Sequence, residues 1–261
     1  MTLVKHELRQ GRLSFGLWTC AIGTLLAVCI FLFPEMKGQT AGISDAFASM
    51  GAFTAAFGMD RLDFGTLLGY YAVECGNVLG LGGAFYASLT AVSALSGEEA
   101  GRTAEFLLTH PVSRIRIVTE KLASVLIRIA VMDLMIWGLS AGSIAAIGEA
   151  VPWKELNLLH LAYFLLQLEL TGICFGISAF LRRSGAGIGL GVAAMMYFLN
   201  LVANITESAG FLKYITPFGY AEGADIVTGG RLDGAMVAAG MALAVLGTAA
   251  AYWKYCGKDI Q

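Results

Sequence analysis

The chain has little charge and few prolines for its length. Only 14% of its 261 residues are Asp, Glu, Lys or Arg, whereas 57% are hydrophobic. Soluble globular chains carry about 25% charged residues, so this composition excludes a soluble protein and indicates an integral membrane protein. A chain of this length has room for about six membrane spans with short loops, but not for a separate soluble catalytic domain.

Signatures of catalysis, of metal binding and of nucleotide binding are missing as well. The five cysteines are odd in number, scattered through apolar runs and without a CxxC pair, so we predict no disulfide frame. The three histidines lack the spacing of metal ligands. No G-x-x-x-x-G-K-[ST] phosphate loop occurs. We therefore expect neither a metal nor ATP to bind to this chain, and no enzymatic activity of its own.

Six apolar stretches are long enough to cross a bilayer. They are predicted at Phe15–Phe33, about Gly65–Ser96, Leu122–Gly148, Leu156–Leu181, Gly185–Ile205 and Ala235–Trp253. The first is expected to end at Pro34 and Glu35 and to remain as an anchor, because it is too long for a signal-peptide core. The predicted fold is an all-α integral membrane protein with six transmembrane helices, one transmembrane domain over residues 1–261.

Lysine and arginine are distributed unevenly between the segments that separate these spans. If the N-terminus is inside, eleven basic residues fall on the inner side and five on the outer side. The inner ones are Lys5, Arg9, Arg12, Arg102, Arg114, Arg116, Lys121, Arg182, Arg183, Lys254 and Lys258. The outer ones are Lys37, Arg61, Lys154, Lys213 and Arg231. Cytoplasmic segments are enriched in basic residues, so both termini are predicted to be cytoplasmic.

Segments outside the spans are predicted to form short helices. Residues 1–14 have apolar residues on one helical face and are predicted as an interfacial helix, the alternative being an unstructured basic flank. Residues 45–64 are expected to form an outer amphipathic helix. Residues 206–234, interrupted by Pro217 and several glycines, suggest short helices, a hairpin or an ordinary loop.

The charged segment over residues 97–121 lies between the second and third spans. Its helix from Glu98 to Thr109 is expected to end at His110, because a residue before proline is pushed out of the α region. A second helix is expected to start at Ser113. The charged segment has apolar residues at its centre and charged residues on either side. This composition indicates a docking surface for a soluble partner, whereas a loop that only fixes topology would not need the apolar residues.

The run EEAGRTAEFLLTHPVSRIRIVTEK resembles the cytoplasmic coupling segment of type-2 ABC transporter permeases. Glu98 or Glu99 fits the acidic start, and Glu105–Leu108 fits the Glu-aliphatic core. Residues 111–114, Pro-Val-Ser-Arg, fit the turn, and Lys121 closes the segment. The N-terminal helix and both outer segments are similar to the same family, although His110 stands where Ser or another small residue is expected.

This resemblance implies a permease subunit of an exporter in a bacterial cell membrane. Its partners would be a cytosolic ATP-binding cassette subunit, which would hold ATP and Mg²⁺, a second permease chain, identical or homologous, and the lipid bilayer. No nucleic acid is expected. The implied contact with the ATPase is made by Glu98, Glu99, Arg102, Glu105, Phe106, Leu107, Leu108, His110, Pro111 and Arg114.

Three acidic residues, Glu74, Asp133 and Glu169, lie within the predicted spans. A charge at the bilayer centre is costly, so each should face protein or water. Asp133 and Glu169 are predicted at similar depth, where a shared polar cavity is possible, and Arg128 either reaches the interface or neutralises Glu169. These carboxylates line a substrate path or serve helix packing. If these carboxylates carried protons, the chain would instead be a secondary transporter. A membrane-embedded enzyme is the third class of function considered.

Glycines at small-xxx-small spacing allow close approach of membrane helices. The fifth span begins with four of them, Gly185, Gly187, Gly189 and Gly191. They are predicted to form a tight crossing within the subunit or a dimer contact, and the family resemblance favours a dimer contact near this point.

Overall fold

The computed structural model describes residues 2–37, 50–100 and 113–257, and the elements in these ranges are helices, without a strand. Helix α1 (Thr2–Gln10) turns at Gly11 into α2 (Arg12–Lys37). The next helices are α3 (Ala52–Ala56), α4 (Leu67–Cys75), α5 (Leu81–Ala100), α6 (Arg114–Ala146), α7 (Trp153–Ser178), α8 (Ala186–Ile205), α9 (Gly223–Gly229) and α10 (Gly234–Gly257). A π-helical turn, Gly76–Gly80, joins α4 to α5, and 3-10 helices cover Met59–Arg61 and Glu207–Tyr214.

Six of these helical segments within the described ranges are long and apolar enough to cross a membrane. They are α2, the continuous α4–α5 segment, α6, α7, α8 and α10. The predicted all-α membrane fold with six spans is confirmed. Helix α6 runs unbroken from Arg114, so the second helix predicted in the charged segment and the third span form a single helix.

The first span continues past Pro34, so the prediction that it ends there is wrong. Proline lacks the N–H that would bond to the carbonyl four residues earlier and usually kinks or ends a helix, yet α2 extends to Lys37. Contacts outside the helix hold this last turn. Phe33 is buried against Tyr70, with ring centroids 5.7 Å apart, and the Lys37 ammonium lies 2.8 Å from the Glu149 carboxylate.

Helix α7 is the most buried of the six spans and contacts α5, α6 and α10. Its crossing with α10 depends on glycine. A Cβ atom at Gly176 would lie 2.6 Å from the Gly247 carbonyl oxygen, and a Cβ at Gly172 would collide with the backbone of Ala244. The two backbones therefore pack directly on one another. Elsewhere α10 and α8 are largely exposed, with apolar side chains pointing away from the bundle.

Candidate functional site

Most of the predicted ATPase-contact segment lies outside the described residues. Positions 101–112 are in this group, which includes Arg102, Glu105, Phe106, Leu107, Leu108, His110 and Pro111. Helix α5 carries the chain as far as Ala100, so Glu98 and Glu99 belong to its last turn, although their side chains are not described. Arg114 is described, and it is the first residue of α6.

Arg114 connects the start of α6 to the end of α10. The hydroxyl of Ser113 accepts a hydrogen bond from the N–H of Arg116 and caps α6. The Arg114 guanidinium donates to the carbonyl oxygens of Tyr255, at 3.3 Å, and Cys256, at 3.5 Å. Carbonyls in the last turn of a helix have no partner within it and attract positive charge. The first turn of α6 is thus fastened to the last turn of α10.

The next turns of α6 hold α10 and α1. The hydroxyls of Thr119 and Tyr252 lie 2.8 Å apart, a second link to α10. The Glu120 carboxylate accepts hydrogen bonds from the backbone N–H groups of Leu3 and Val4, at 3.1 and 3.2 Å. Negative charge is favourable at the N-terminus of a helix, so Glu120 anchors α1 at its first turn.

A buried ion pair completes the attachment of α1. The Lys121 ammonium lies 2.7 Å from the Glu7 carboxylate, and their side chains are only 3% and 13% exposed. A charge removed from water is tolerated only when it is paired. Residues 113–121 of α6, together with the parts of α1 and α10 that they bind, are called the α6 base below. Both ends of the described chain meet there.

Arg128 lies on the same side of the bundle as the α6 base. Its guanidinium comes so close to Gly11 that a Cβ atom at that position would overlap with it, and its Nε donates to the Ser124 carbonyl oxygen at 3.3 Å. Glu169, which Arg128 was expected to neutralise as one alternative, has another partner.

The three carboxylates within the spans lie in three different environments. Glu74 accepts a hydrogen bond from the Cys29 thiol at 3.4 Å. Asp133 is 8% exposed and accepts from the Gln167 amide at 3.5 Å. Glu169 is buried and accepts from the Tyr220 hydroxyl at 3.0 Å. Burial and the neighbouring Glu169 raise the pKa of Tyr220 above its ordinary value, so its hydroxyl keeps the proton that it donates.

The structure does not bring Asp133 and Glu169 together. Gln167, which contacts Asp133, and Glu169 are two residues apart on α7, which places them about 200° apart around the helix axis. Glu169 lies on the side of α10, where a Cβ atom at Gly240 would collide with its carboxylate. The two carboxylates therefore face different neighbours.

The four glycines at the start of α8 point in two directions. A Cβ atom at Gly185 would lie 2.9 Å from Cγ2 of Val92, and one at Gly189 would lie 2.8 Å from the Ser88 carbonyl oxygen. These two make a close crossing with α5. At Gly187 and Gly191 a Cβ atom would meet nothing within 4 Å. The cluster thus serves packing within the subunit on one side and leaves the other side open.

A polar network at the opposite end of the bundle was not predicted. The Glu222 carboxylate accepts hydrogen bonds from the side-chain amides of Asn200, at 3.0 Å, and Asn204, at 2.9 Å. The Arg61 guanidinium lies 3.7 Å from the same carboxylate. The sequence contains a signal for this network, since two asparagines lie one helical turn apart in an otherwise apolar span, but the prediction did not include them. The network joins α8 to the two segments that are predicted to be outer, and it is called the outer network below for that reason.

A small cavity of about 40 Å³ adjoins the outer network. Its polar lining comes from Asn77, Tyr163, Tyr197, Asn200 and Glu222. In the part of the chain that the structure describes, no three His, Cys, Asp or Glu residues cluster as metal ligands would.

Comparison with known families gives one match across the chain. The model of a family described as "ABC-2 family transporter protein" matches residues 1–259. A search of curated proteins gives no match.

Proposed function

Because the chain belongs to the ABC-2 family of transporter proteins, and so is a membrane subunit of an ABC transporter and not an ATPase itself, we propose that it is the permease of an exporter. ATP hydrolysis in a separate cytosolic subunit would drive it through the segment over residues 97–121. The proposed direction, export, rests on the resemblance of this segment to the coupling segments of type-2 permeases.

The α6 base is the observation that carries this proposal. Helix α6 starts within the proposed docking segment, at Arg114, and its first turns bind α1 through Glu7 and α10 through the carbonyls of Tyr255 and Cys256. Packed helices transmit displacement as nearly rigid bodies. A force applied before Ser113 would therefore move three helices together, which is what a motor outside the membrane requires.

The proposed docking surface consists of charged residues around an apolar centre, as the sequence shows for Glu98, Glu99, Arg102, Glu105–Leu108, His110, Pro111 and Arg114. Interfaces of this kind have a dehydrated apolar core and a charged rim. The nucleotide and its Mg²⁺ belong to the partner in this scheme, since the sequence of the permease has no phosphate-binding loop.

We further propose a second permease chain, identical or homologous, on the open side of α8. Gly187 and Gly191 leave room there for a close helix approach. Exposed apolar side chains continue the same helix, among them Ile188, Met195 and Phe198. Small residues beside large apolar ones are the usual composition of helix contacts in membranes.

Both termini are proposed to be cytoplasmic. The α6 base brings both ends of the described chain to one end of the bundle, and that end carries the majority of the basic residues. A proton path through Glu74, Asp133 and Glu169 together receives no support from their separate environments, so we do not propose a secondary transporter.

Purification from native membranes tests the proposal. The tagged full-length chain is expected to bring with it a subunit that hydrolyses ATP in a vanadate-sensitive manner. Glu105→Lys and Arg114→Glu should each reduce either the association or the ATPase activity several-fold. Arg231→Glu is the control, because Arg231 is among the basic residues predicted on the outer side, and it should reduce neither. Absence of any nucleotide-hydrolysing companion, or labelling of Thr103→Cys from outside intact cells, would contradict the proposal.

A further inference from the structure

One face of α7 carries polar side chains along most of its length. They are His160, Tyr163, Gln167, Thr171, Cys174 and Ser178. At 100° per residue these six positions fall within a sector of about 80° around the helix axis. All six side chains belong to residues that are 4% exposed or less. This polar stripe faces the interior of the bundle, where an apolar surface is the ordinary solution.

Four of these side chains have an atom without a hydrogen-bond partner in the described part of the chain. These atoms are Nδ1 of His160, the hydroxyl of Tyr163, Oε1 of Gln167 and Oγ1 of Thr171. The Ser88 hydroxyl on the neighbouring helix α5 lies beside the Cys174 thiol of the stripe. A single buried polar group without a partner is costly, and in a membrane no bulk water compensates. Repetition along one helix face indicates a common ligand.

The remaining polar atoms of the stripe are bonded to α4, α5 and α6. The Tyr71 hydroxyl lies 2.9 Å from Nε2 of His160, and it also lies beside Ser140 and Cys75. The Gln167 amide donates to Asp133. Asp133 is thus in contact with the middle of the stripe, about halfway along α7.

The stripe has an open end and a closed end. At the outer end, Tyr163 lines the cavity beside Glu222 and Asn200. That cavity, about 40 Å³, is large enough for a water molecule, which occupies roughly 30 Å³ in the liquid. At the inner end, the Ser178 hydroxyl accepts hydrogen bonds from the N–H groups of Leu95 and Ser96, at 2.9 and 3.1 Å, so the protein itself satisfies that position.

We propose that the polar stripe of α7 is a binding site for a file of internal water molecules, which enters at the outer cavity and extends past Asp133 towards Thr171. Water donates and accepts hydrogen bonds, which fits a set that contains a carbonyl oxygen, two hydroxyls and an imidazole nitrogen. An apolar ligand would leave these atoms unsatisfied. Hydration of this face is a property of the folded chain, independent of any ATPase, and so goes beyond the proposed function.

Hydration gives the two faces of α7 different mechanical properties. On the side of α10, the glycine crossing brings the two backbones into direct contact, so a shift of α7 in that direction would cause a steric clash. Towards α5 and α6, water-mediated hydrogen bonds can exchange partners during a small shift. Small shifts of α7 would consequently meet less resistance towards α5 and α6 than at its crossing with α10.

Hydroxyl-radical footprinting of the full-length protein in nanodiscs tests the proposal, since radicals formed from bound water label side chains that bulk solvent does not reach. Tyr163 and Cys174 are the probes, and the equally buried Phe33 and Met132 are the matched aromatic and sulfur controls. After correction for the intrinsic reactivity of each side chain, several-fold stronger labelling of the two probes is expected. Labelling equal to that of the controls would overturn the proposal.

Isosteric variants provide a second measurement. Thr171→Val removes a hydroxyl without a protein partner. Thr216→Val is the control, because it removes an equally buried hydroxyl that donates to the Met196 carbonyl oxygen at 2.8 Å. If water binds at Thr171, its variant has a Tm at or below that of the wild type and weaker labelling of Cys174. In a dry seam, loss of the unsatisfied hydroxyl would raise the Tm, and that result would contradict the water file.

Discussion

The ammonium of Lys121 lies 2.7 Å from the carboxylate of Glu7, and these residues are separated by 114 positions in the sequence. Lys121 belongs to the second turn of α6 and Glu7 to the N-terminal helix. The pair makes α1 a part of the helical bundle, held by a charge contact that is nearly removed from water. Any movement of α6 at this point therefore reaches the N-terminus of the protein.

Lys121→Met is expected to destabilise the protein, because it leaves the Glu7 carboxylate partly buried without this ammonium. Breaking a buried pair by removing one partner costs about 3 to 5 kcal/mol, and the slight exposure of Glu7 places this pair at the lower end. Thermal unfolding in detergent measures the loss. The double variant Glu7→Gln/Lys121→Met should recover much of the Tm, and a double variant no more stable than Lys121→Met would contradict the pairing.

Gly247→Ala is expected to lower the Tm, because the added methyl group would collide with the backbone of Gly172 where α7 crosses α10. Forcing extra volume into a well-packed contact costs about 1 to 3 kcal/mol. Gly142→Ala on α6 is the matched control, since a Cβ atom there meets nothing within 4 Å. Alanine is the better helix former by about 1 kcal/mol, so the control should be neutral or stabilising. Equal effects of both variants would contradict the close crossing.

Glu222→Ala is expected to loosen the outer segments, because it removes the acceptor shared by Asn200 and Asn204 and a charge beside Arg61. The Asn200 amide left without its partner inside the protein costs about 1 to 3 kcal/mol, whereas the Asn204 amide keeps its hydrogen bond to the Ala56 carbonyl oxygen at 3.1 Å. Hydrogen exchange of residues 215–230 should become faster, with Glu222→Gln intermediate.

The control for this outer variant is Asp233→Asn. The Asp233 carboxylate accepts from the N–H groups of Ala235 and Met236 at the start of α10. Its replacement by asparagine, which is also a good N-cap residue, should leave exchange in residues 215–230 unchanged. If Glu222→Ala and Asp233→Asn had the same effect there, the outer network would not be what holds this segment.

The six spans could be predicted from the sequence because length and hydropathy alone determine whether a helix can cross a bilayer. The first span shows the limit of this reasoning. Its end beyond Pro34 depends on Phe33, which packs on Tyr70, and on Lys37, which pairs with Glu149. Both partners lie far along the chain, and the local propensity of proline gives no indication of them.

The sequence identified candidate site residues where the residue type alone was informative, but it did not predict their neighbours. Asp133 and Glu169 were recognised as costly charges within spans, but the sequence does not show that they have different neighbours. Asp133 of α6 contacts Gln167 on one face of α7, whereas Glu169 lies on another face of α7 and contacts Tyr220, and both contacts depend on how α7 is rotated in the bundle. The same holds for the glycines of α8, which alternate between α5 and the open side. Helix rotation follows from packing against neighbours, which a single sequence does not specify.

Cross-linking tests the proposed second permease chain on the open side of α8. In a background without the exposed Cys20 and Cys256, Gly187→Cys and Gly191→Cys should each form a disulfide-linked dimer when membranes are oxidised, because close helix approach brings the same position of two chains together. Gly189→Cys faces α5 and should not cross-link. Gly142→Cys is the control for random collision. A Cβ atom at Gly142 also meets nothing within 4 Å, but this residue lies on α6. Dimers formed equally well through Gly142→Cys, or none through α8, would exclude this face as the contact between two identical chains.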